Sequence, residues 1–143
     1  MVVDAVCTSS QERTEGEMIT FPQGLIGLEE YQKFVLKQVS EESLFQILQS
    51  KDEKGFELLV TSPFWVAPDY SFELPDIYSA QLGDAQGIEV LVTVTLASDP
   101  KDCTVNLLGP LVINRKSGKG FQVLASDKVY TTKHKICQSA GGK

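Results

Sequence analysis

Residues Asn106–Leu124 read NLLGPLVINRKSGKGFQVL. Leu107, Leu108, Leu111, Val112 and Ile113 are apolar, and Pro110 interrupts them. Proline has no N–H to give to a ladder, so Pro110 marks a strand start, an edge or a bulge. Asn114 to Lys119 is polar and contains Gly118, a turn signal; Gly120 to Leu124 then resumes the alternation of a returning strand. The stretch predicts a β-hairpin with a basic tip.

Working outward, the same short periods recur. Met1–Val6 reads as a first strand, Phe34–Val39 as another and Leu44–Leu48 as a third. In the last, Phe45 and Ile47 share one face and Leu44 and Leu48 the other, which predicts burial on both sides. Phe56–Thr61 returns beside it across a polar loop ending at Gly55. Ile88–Ala97 is dense in β-branched residues and is the clearest strand. After a turn at Ser98–Asp102, Cys103–Leu108 leads into the opening stretch, and Asp127–Lys133 gives a last strand around Val129 and Tyr130. Helical signals are brief. Leu28, Tyr31 and Phe34 are spaced by three, as in one or two helical turns, and Ile77–Leu82 is a short helix ended by Gly83. Short strands, frequent turns and little helical periodicity make the fold all-β. At 143 residues a small antiparallel β-barrel-like single domain is expected, because closure removes sheet edges. Residues 1–138 form that domain, and 139–143 are a flexible tail.

Charge is unevenly placed. Residues 1–100 carry 17 Asp and Glu against 5 Lys and Arg; residues 101–143 carry 2 against 8, for a net charge of −6. An acidic body disfavours nucleic acid as a partner and suits a basic protein. No apolar run reaches the length of a membrane-spanning helix. Three widely spaced cysteines, Cys7, Cys103 and Cys137, argue against a disulfide framework and for the cytoplasm.

Catalytic patterns are sparse. The single histidine, His134, lies between Lys133 and Lys135 with no acid beside it to orient it. No metal-ligand spacing joins His134 to the cysteines. The glycines around Ser117–Gly120 match neither a phosphate-binding loop nor a dinucleotide fingerprint. Arg115, Lys116 and Lys119 read as a solvated hairpin tip, and the pairs Glu29–Glu30 and Glu41–Glu42 as solvated faces. No cofactor, metal or catalytic residue is expected, which points to a binding protein. Ser62–Asp76, SPFWVAPDYSFELPD, is the candidate binding segment, with three prolines and four aromatics. Acids and aromatics on an irregular edge suit protein recognition, so Asp69, Tyr70, Phe72, Glu73 and Asp76 are expected to line a partner surface. A second reading is a β-barrel small-ligand carrier with an interior pocket lined by Phe45, Leu59 and Val92; a third is a hydrolase, for which the sequence supplies no convergent acid–base group.

Several pieces in order resemble one family. Phe21-Pro-Gln-Gly-Leu-Ile-Gly-Leu-Glu29 is similar to the F-P-x-G-L-x-G-F/L-E signature of the FliW flagellar assembly factors. Leu48-Gln-Ser50, Pro68-Asp-Tyr70 with Phe72, Thr104-Val-Asn-Leu107, Gly109-Pro110 with Ile113-Asn114, and Gln122-Val-Leu124 fall where that family places them. The resemblance spans about residues 18–132. It implies a small barrel-like, non-enzymatic protein with two protein partners: flagellin, held before export, and CsrA, a basic RNA-binding regulator that represses flagellin translation. Freed of flagellin, such a factor binds CsrA allosterically and relieves the repression. The resemblance implies no direct nucleic acid or membrane contact, and a monomer when free.

Overall fold

The computed structural model describes residues 2–3, 17–39, 43–51, 56–83, 87–125 and 130–136. The Cys7–Glu17 loop but for Glu17, Cys137, most of the Gly55 loop, the Glu41–Glu42 pair and the tail lie outside the described residues. The elements are β1 (Val2–Val3), β2 (Glu17–Thr20), β3 (Lys33–Gln38), β4 (Phe45–Ser50), β5 (Glu57–Thr61), β6 (Phe72–Glu73), α1 (Asp76–Leu82), β7 (Ile88–Thr95), β8 (Thr104–Val105), β9 (Leu111–Asn114), β10 (Lys119–Gln122) and β11 (His134–Lys135).

Seven strands close into a barrel in the order β7-β5-β4-β3-β2-β10-β9, with β9 returning to β7. Every neighbouring pair is antiparallel except one. The seam between β2 and β10 is parallel and rests on a single register pair, Lys119 opposite Thr20. The predicted hairpin is present, with Gln122 opposite Leu111 through to Lys119 opposite Asn114.

Alternation along the strands gives two cores on opposite faces of one wall. On β7 and β9, Leu91, Leu111 and Ile113 point into the barrel, where they meet Ile19, Phe34, Leu36, Leu48 and Val60. Ile88, Val90, Val92 and Val112 point outward and are covered by α1 and the irregular segment before it, through Tyr70, Phe72, Leu74 and Leu82. The wall is therefore apolar on both sides, which is why Ile88–Thr95 reads as a nearly continuous apolar run.

Four expectations are corrected. Strand β4 is not evenly buried: Gln46, Leu48 and Ser50 face inward, Phe45 and Ile47 are half-buried, and Leu44, before the strand, is exposed. Leu28–Phe34 makes no helix. Its amides close successive turns, Leu28 N to Leu25 O at 2.8 Å and Tyr31 N to Leu28 O at 3.0 Å. Leu28 and Tyr31 pack on the barrel core from this loop, whereas Phe34 is already in strand β3 and belongs to that core, so the spacing by three is no helical period. The last described strand is His134–Lys135, paired with β8; Tyr130 lies in no strand, and Val129 is outside the described residues. Phe45, Leu59 and Val92 line no common interior. Phe45 packs edge-on against Trp65 with centroids 5.9 Å apart, and Val92 belongs to the outer core. Leu59 stands opposite half-buried Ile47, while its neighbours Leu58 and Val60 pack into the barrel.

The turn at Pro22–Gly24 needs its glycine. Gly24 has φ +70°, and a Cβ there would stand 2.4 Å from the Glu29 carbonyl oxygen. Gly24→Ala is expected to destabilise the chain by about 1–3 kcal/mol from backbone strain alone, read as a lower urea midpoint with unchanged slope. The same substitution at Gly87 has no positive φ to strain and meets side chains only, those of Asn114 and Lys116, and serves as the comparison.

Candidate functional site

Between Val105 and Leu111 the chain leaves β7 and rejoins it. Five residues, Asn106–Pro110, stand opposite two on β7, Val92 and Thr93. Pro110 is thus both a bulge residue and the residue before a strand, two of the three roles its missing N–H allows. A bulge this size frees polar backbone groups that need partners. The Asn106 side-chain oxygen accepts from Leu108 N and Gly109 N at 3.0 and 2.9 Å. The Gln122 amide donates to Gly109 O at 2.8 Å, and its oxygen accepts from Ile26 N at 2.8 Å. The Tyr70 hydroxyl donates to Leu107 O at 2.6 Å. Segments far apart in sequence meet here: the Phe21–Glu29 loop, the Pro68–Phe72 segment, the Asn106–Pro110 bulge and Gln122. Asn114 plays a matching part at the hairpin turn. Its side-chain oxygen accepts from Lys116 N at 2.8 Å, and its amide nitrogen donates to Leu82 O at the end of α1.

The Ser62–Asp76 segment is held down along its length. Turns at Pro63 and Ala67 satisfy Ala67 N and Tyr70 N. The Tyr70 ring packs on Tyr130 with centroids 4.6 Å apart and on Phe72 at 5.6 Å. The Tyr130 hydroxyl accepts from Ser71 N at 3.0 Å. Burial, and then the neighbouring Tyr130, push the Tyr70 phenol well above its usual value. Strand β6 pairs with β1, Phe72 opposite Val3 and Glu73 opposite Val2. Asp76 then opens α1, where an acid complements the positive end of the helix.

The five expected surface residues divide accordingly. Tyr70 and Phe72 are 1% and 5% exposed and belong to the core. Within this fold they support the surface and do not line it, since a pleated strand that buries Phe72 turns Glu73 outward. Asp69, Glu73 and Asp76 are exposed. Asp76 is close in sequence to a cleft of about 440 Å³ whose lining includes Gln23, Ile26, Glu29, Pro75, Tyr78 and Leu124.

Two further features escape the pattern reading. Arg115 is not part of a solvated tip. It continues the inward positions Leu111 and Ile113, and its buried guanidinium pairs with the buried Glu89 carboxylate and donates to Gln46 at 3.3 Å. The only hint is Glu89 itself, a lone acid within a β-branched run. Gln122 is the other; its role as a clamp between two loops has no local signal. Lys116 and Lys119 are exposed, as expected of the tip. Glu29 and Glu30 are exposed, and His134 is half-buried on β11 opposite Val105. Among the described residues no group of three or more His, Cys, Asp or Glu is placed to hold a metal ion, and no helix is long and apolar enough to cross a membrane.

The family model described as FliW protein matches residues 4–136. The chain belongs to the FliW family. It is 38% identical over 125 residues to the flagellar assembly factor FliW of Bacillus subtilis (strain 168), covering 85% of this chain and 87% of that one. It is 37% identical over 122 residues to that of Bacillus pumilus (strain SAFR-032), covering 84% and 85%. A crystal structure of the flagellar assembly factor FliW superposes with a TM-score of 0.78 at 32% identity, over 95% of this chain and 96% of that one. Of the segments similar to that family, Phe21–Glu29, Pro68–Phe72, Asn106–Pro110 and Gln122 meet at the bulge, whereas Leu48–Ser50 lies on β4 and Asn114 at the hairpin turn.

Proposed function

We propose that this FliW chain is a non-enzymatic, cytoplasmic partner-switching factor. It holds flagellin before export. Once flagellin leaves, the freed chain binds the CsrA regulator away from its RNA surface and relieves repression of flagellin translation. The two partners are thereby linked: each shifts the chain's availability to the other by mass action. The reading needs no cofactor or metal and a monomeric free state.

The observation that carries it is the acidic face Asp69, Glu73 and Asp76, exposed on a segment whose aromatic side is locked into the core. A rigid acidic edge meets a basic partner without an ordering cost, and complementary charge speeds encounter. All three carboxylates are exposed, which suits contact with a partner.

Recovery of flagellin and a CsrA-like protein from cytosol on the immobilised chain tests the pairing, and recovery of neither overturns it. The face is tested by Glu73→Lys/Asp76→Lys. Regulator binding is expected to weaken about tenfold, or ~1.4 kcal/mol, with a flatter salt dependence. Unchanged affinity and unchanged salt slope would sink this placement.

A further inference from the structure

The parallel seam of the barrel is incomplete, and the gap has the form of a strand slot. Strand β2 leaves β10 directly after Thr20, whose amide donates to Gly118 O at 2.7 Å. Among the described residues no ladder runs on this side beyond the pair of Lys119 with Thr20. The backbone of β10 nevertheless stays extended for three more residues. Val123 N donates to Pro110 O at 3.0 Å and Ala125 N to Leu108 O at 2.8 Å, continuing the ladder with the preceding segment. In that ladder alternate residues turn their N–H and C=O the other way. The groups of Gln122 and Leu124 therefore face the vacated side.

That side is the cleft of about 440 Å³. One wall is the Gln23–Glu29 loop and the other is the start of α1, with Pro75 and Tyr78. Its apolar surface is unusual for an exposed region. Ile26 is 52% and Leu124 64% exposed, and Ile77, next along α1 from Asp76, is likewise open. Its charge is acidic, from Glu29 in the lining and Asp76 beside Pro75.

We infer that this slot binds an extended segment of a protein partner, added as a strand along Gln122–Leu124, carrying apolar residues at alternate positions and a Lys or Arg that reaches Glu29 and Asp76. Three observations point to this occupant. An unpaired extended edge offers main-chain hydrogen bonds to a strand. Alternate side chains of an added strand fall on one face, where Ile26, Tyr78 and Leu124 receive them. Acidic walls select a basic segment. The inference rests on the proposed protein-binding role and assigns the basic partner, the RNA-binding regulator, to this slot.

The test is hydrogen exchange on the full chain, free and with purified regulator, and separately with flagellin. In the free chain the Gln122 and Leu124 amides are expected to exchange fast. With the regulator they are expected to slow at least tenfold. Leu124→Pro removes one edge N–H that the fold does not use, and should weaken regulator binding at least tenfold while leaving the melting curve of the free chain in place. Should that variant not fold, Ile26→Asp alters an exposed side chain and takes its place, with the same expected loss. Regulator binding with both amides still fast, or full affinity in the variants, overturns the slot while leaving the proposed function standing. Protection by flagellin alone overturns the assigned occupant. If neither protein binds the wild-type chain, the proposed function falls and the slot with it.

Discussion

Arg115→Leu is expected to cost the fold about 3–5 kcal/mol, because it leaves the Glu89 carboxylate inside the barrel without its counter-charge. The Arg115 and Glu89 side chains are 5% and 4% exposed. Their attraction operates in a medium of low effective dielectric, and solvent cannot take over when one partner goes. For a chain of this length the loss corresponds to a fall in Tm of roughly 10–20 °C. Arg115→Lys should fall between, since an ammonium does not reproduce the forked donor that reaches both Glu89 and Gln46. Replacing all three groups together, Glu89→Leu/Arg115→Met/Gln46→Leu, should recover most of the loss or exceed the parent, because matched apolar groups often substitute for a buried pair without penalty. Urea titrations at two salt concentrations check this. A wild-type stability that drops with added salt, or an Arg115→Leu variant within 1 kcal/mol of the parent, about a fivefold change in the folding constant, would show that the pair is solvated.

That pair also shows where sequence patterns stop. The hairpin of Leu111–Asn114 and Lys119–Gln122, the strand Ile88–Thr95 and the helix Asp76–Leu82 are all legible because each is defined by neighbours within a few residues. Barrel closure follows from the number of short strands, but its registers are not legible, because they join Thr20 to Lys119, and Ile88–Leu91 to Leu111–Asn114, in ways that no local period encodes. Arg115 sits two residues past Ile113 on the inward side, but a basic residue in a Lys- and Gly-rich turn carries the composition of a solvated loop. Its reason to turn in lies far away in sequence, in Glu89, 26 residues before it, and in Gln46. The site divides along the same line. Asp69, Glu73 and Asp76 are exposed as their charge suggests, whereas Tyr70 and Phe72 follow a burial that an irregular, proline-broken segment does not announce through periodicity. Leu28–Phe34 errs in the other direction: a helical spacing arises where successive turns aim Leu28 and Tyr31 at the core that Phe34 enters from strand β3.

Tyr70 links the core to the proposed acidic face, and its substitutions should separate the two. Tyr70→Ala empties a fully buried aromatic site and is expected to cost about 3–5 kcal/mol. Tyr70→Phe keeps the ring against Phe64, Phe72 and Tyr130 but leaves the Leu107 carbonyl, in the middle of the bulge, without its donor. That buried acceptor should cost about 1–3 kcal/mol. The hydroxyl also carries a pH signature. Burial, reinforced by Tyr130, holds the folded-state phenol neutral above 10.0, the ordinary value that governs the unfolded chain. Above that pH the unfolded state has lost the proton and the folded state keeps it, so stability is intact below it and declines as the pH rises further. Tyr70→Phe should remove this part of the alkaline decline, which thermal melts from neutral to alkaline pH would read directly. A decline of equal steepness in both proteins would show that Tyr70 ionises as freely folded as unfolded. Binding supplies the second readout. If the ring and hydroxyl fix the segment that presents Asp69 and Glu73, Tyr70→Phe should slow association with the basic partner less than Glu73→Lys/Asp76→Lys does, because the charges that steer encounter remain. Its larger effect should be faster dissociation from a face now less firmly held, the rate through which most affinity changes at an interface are expressed.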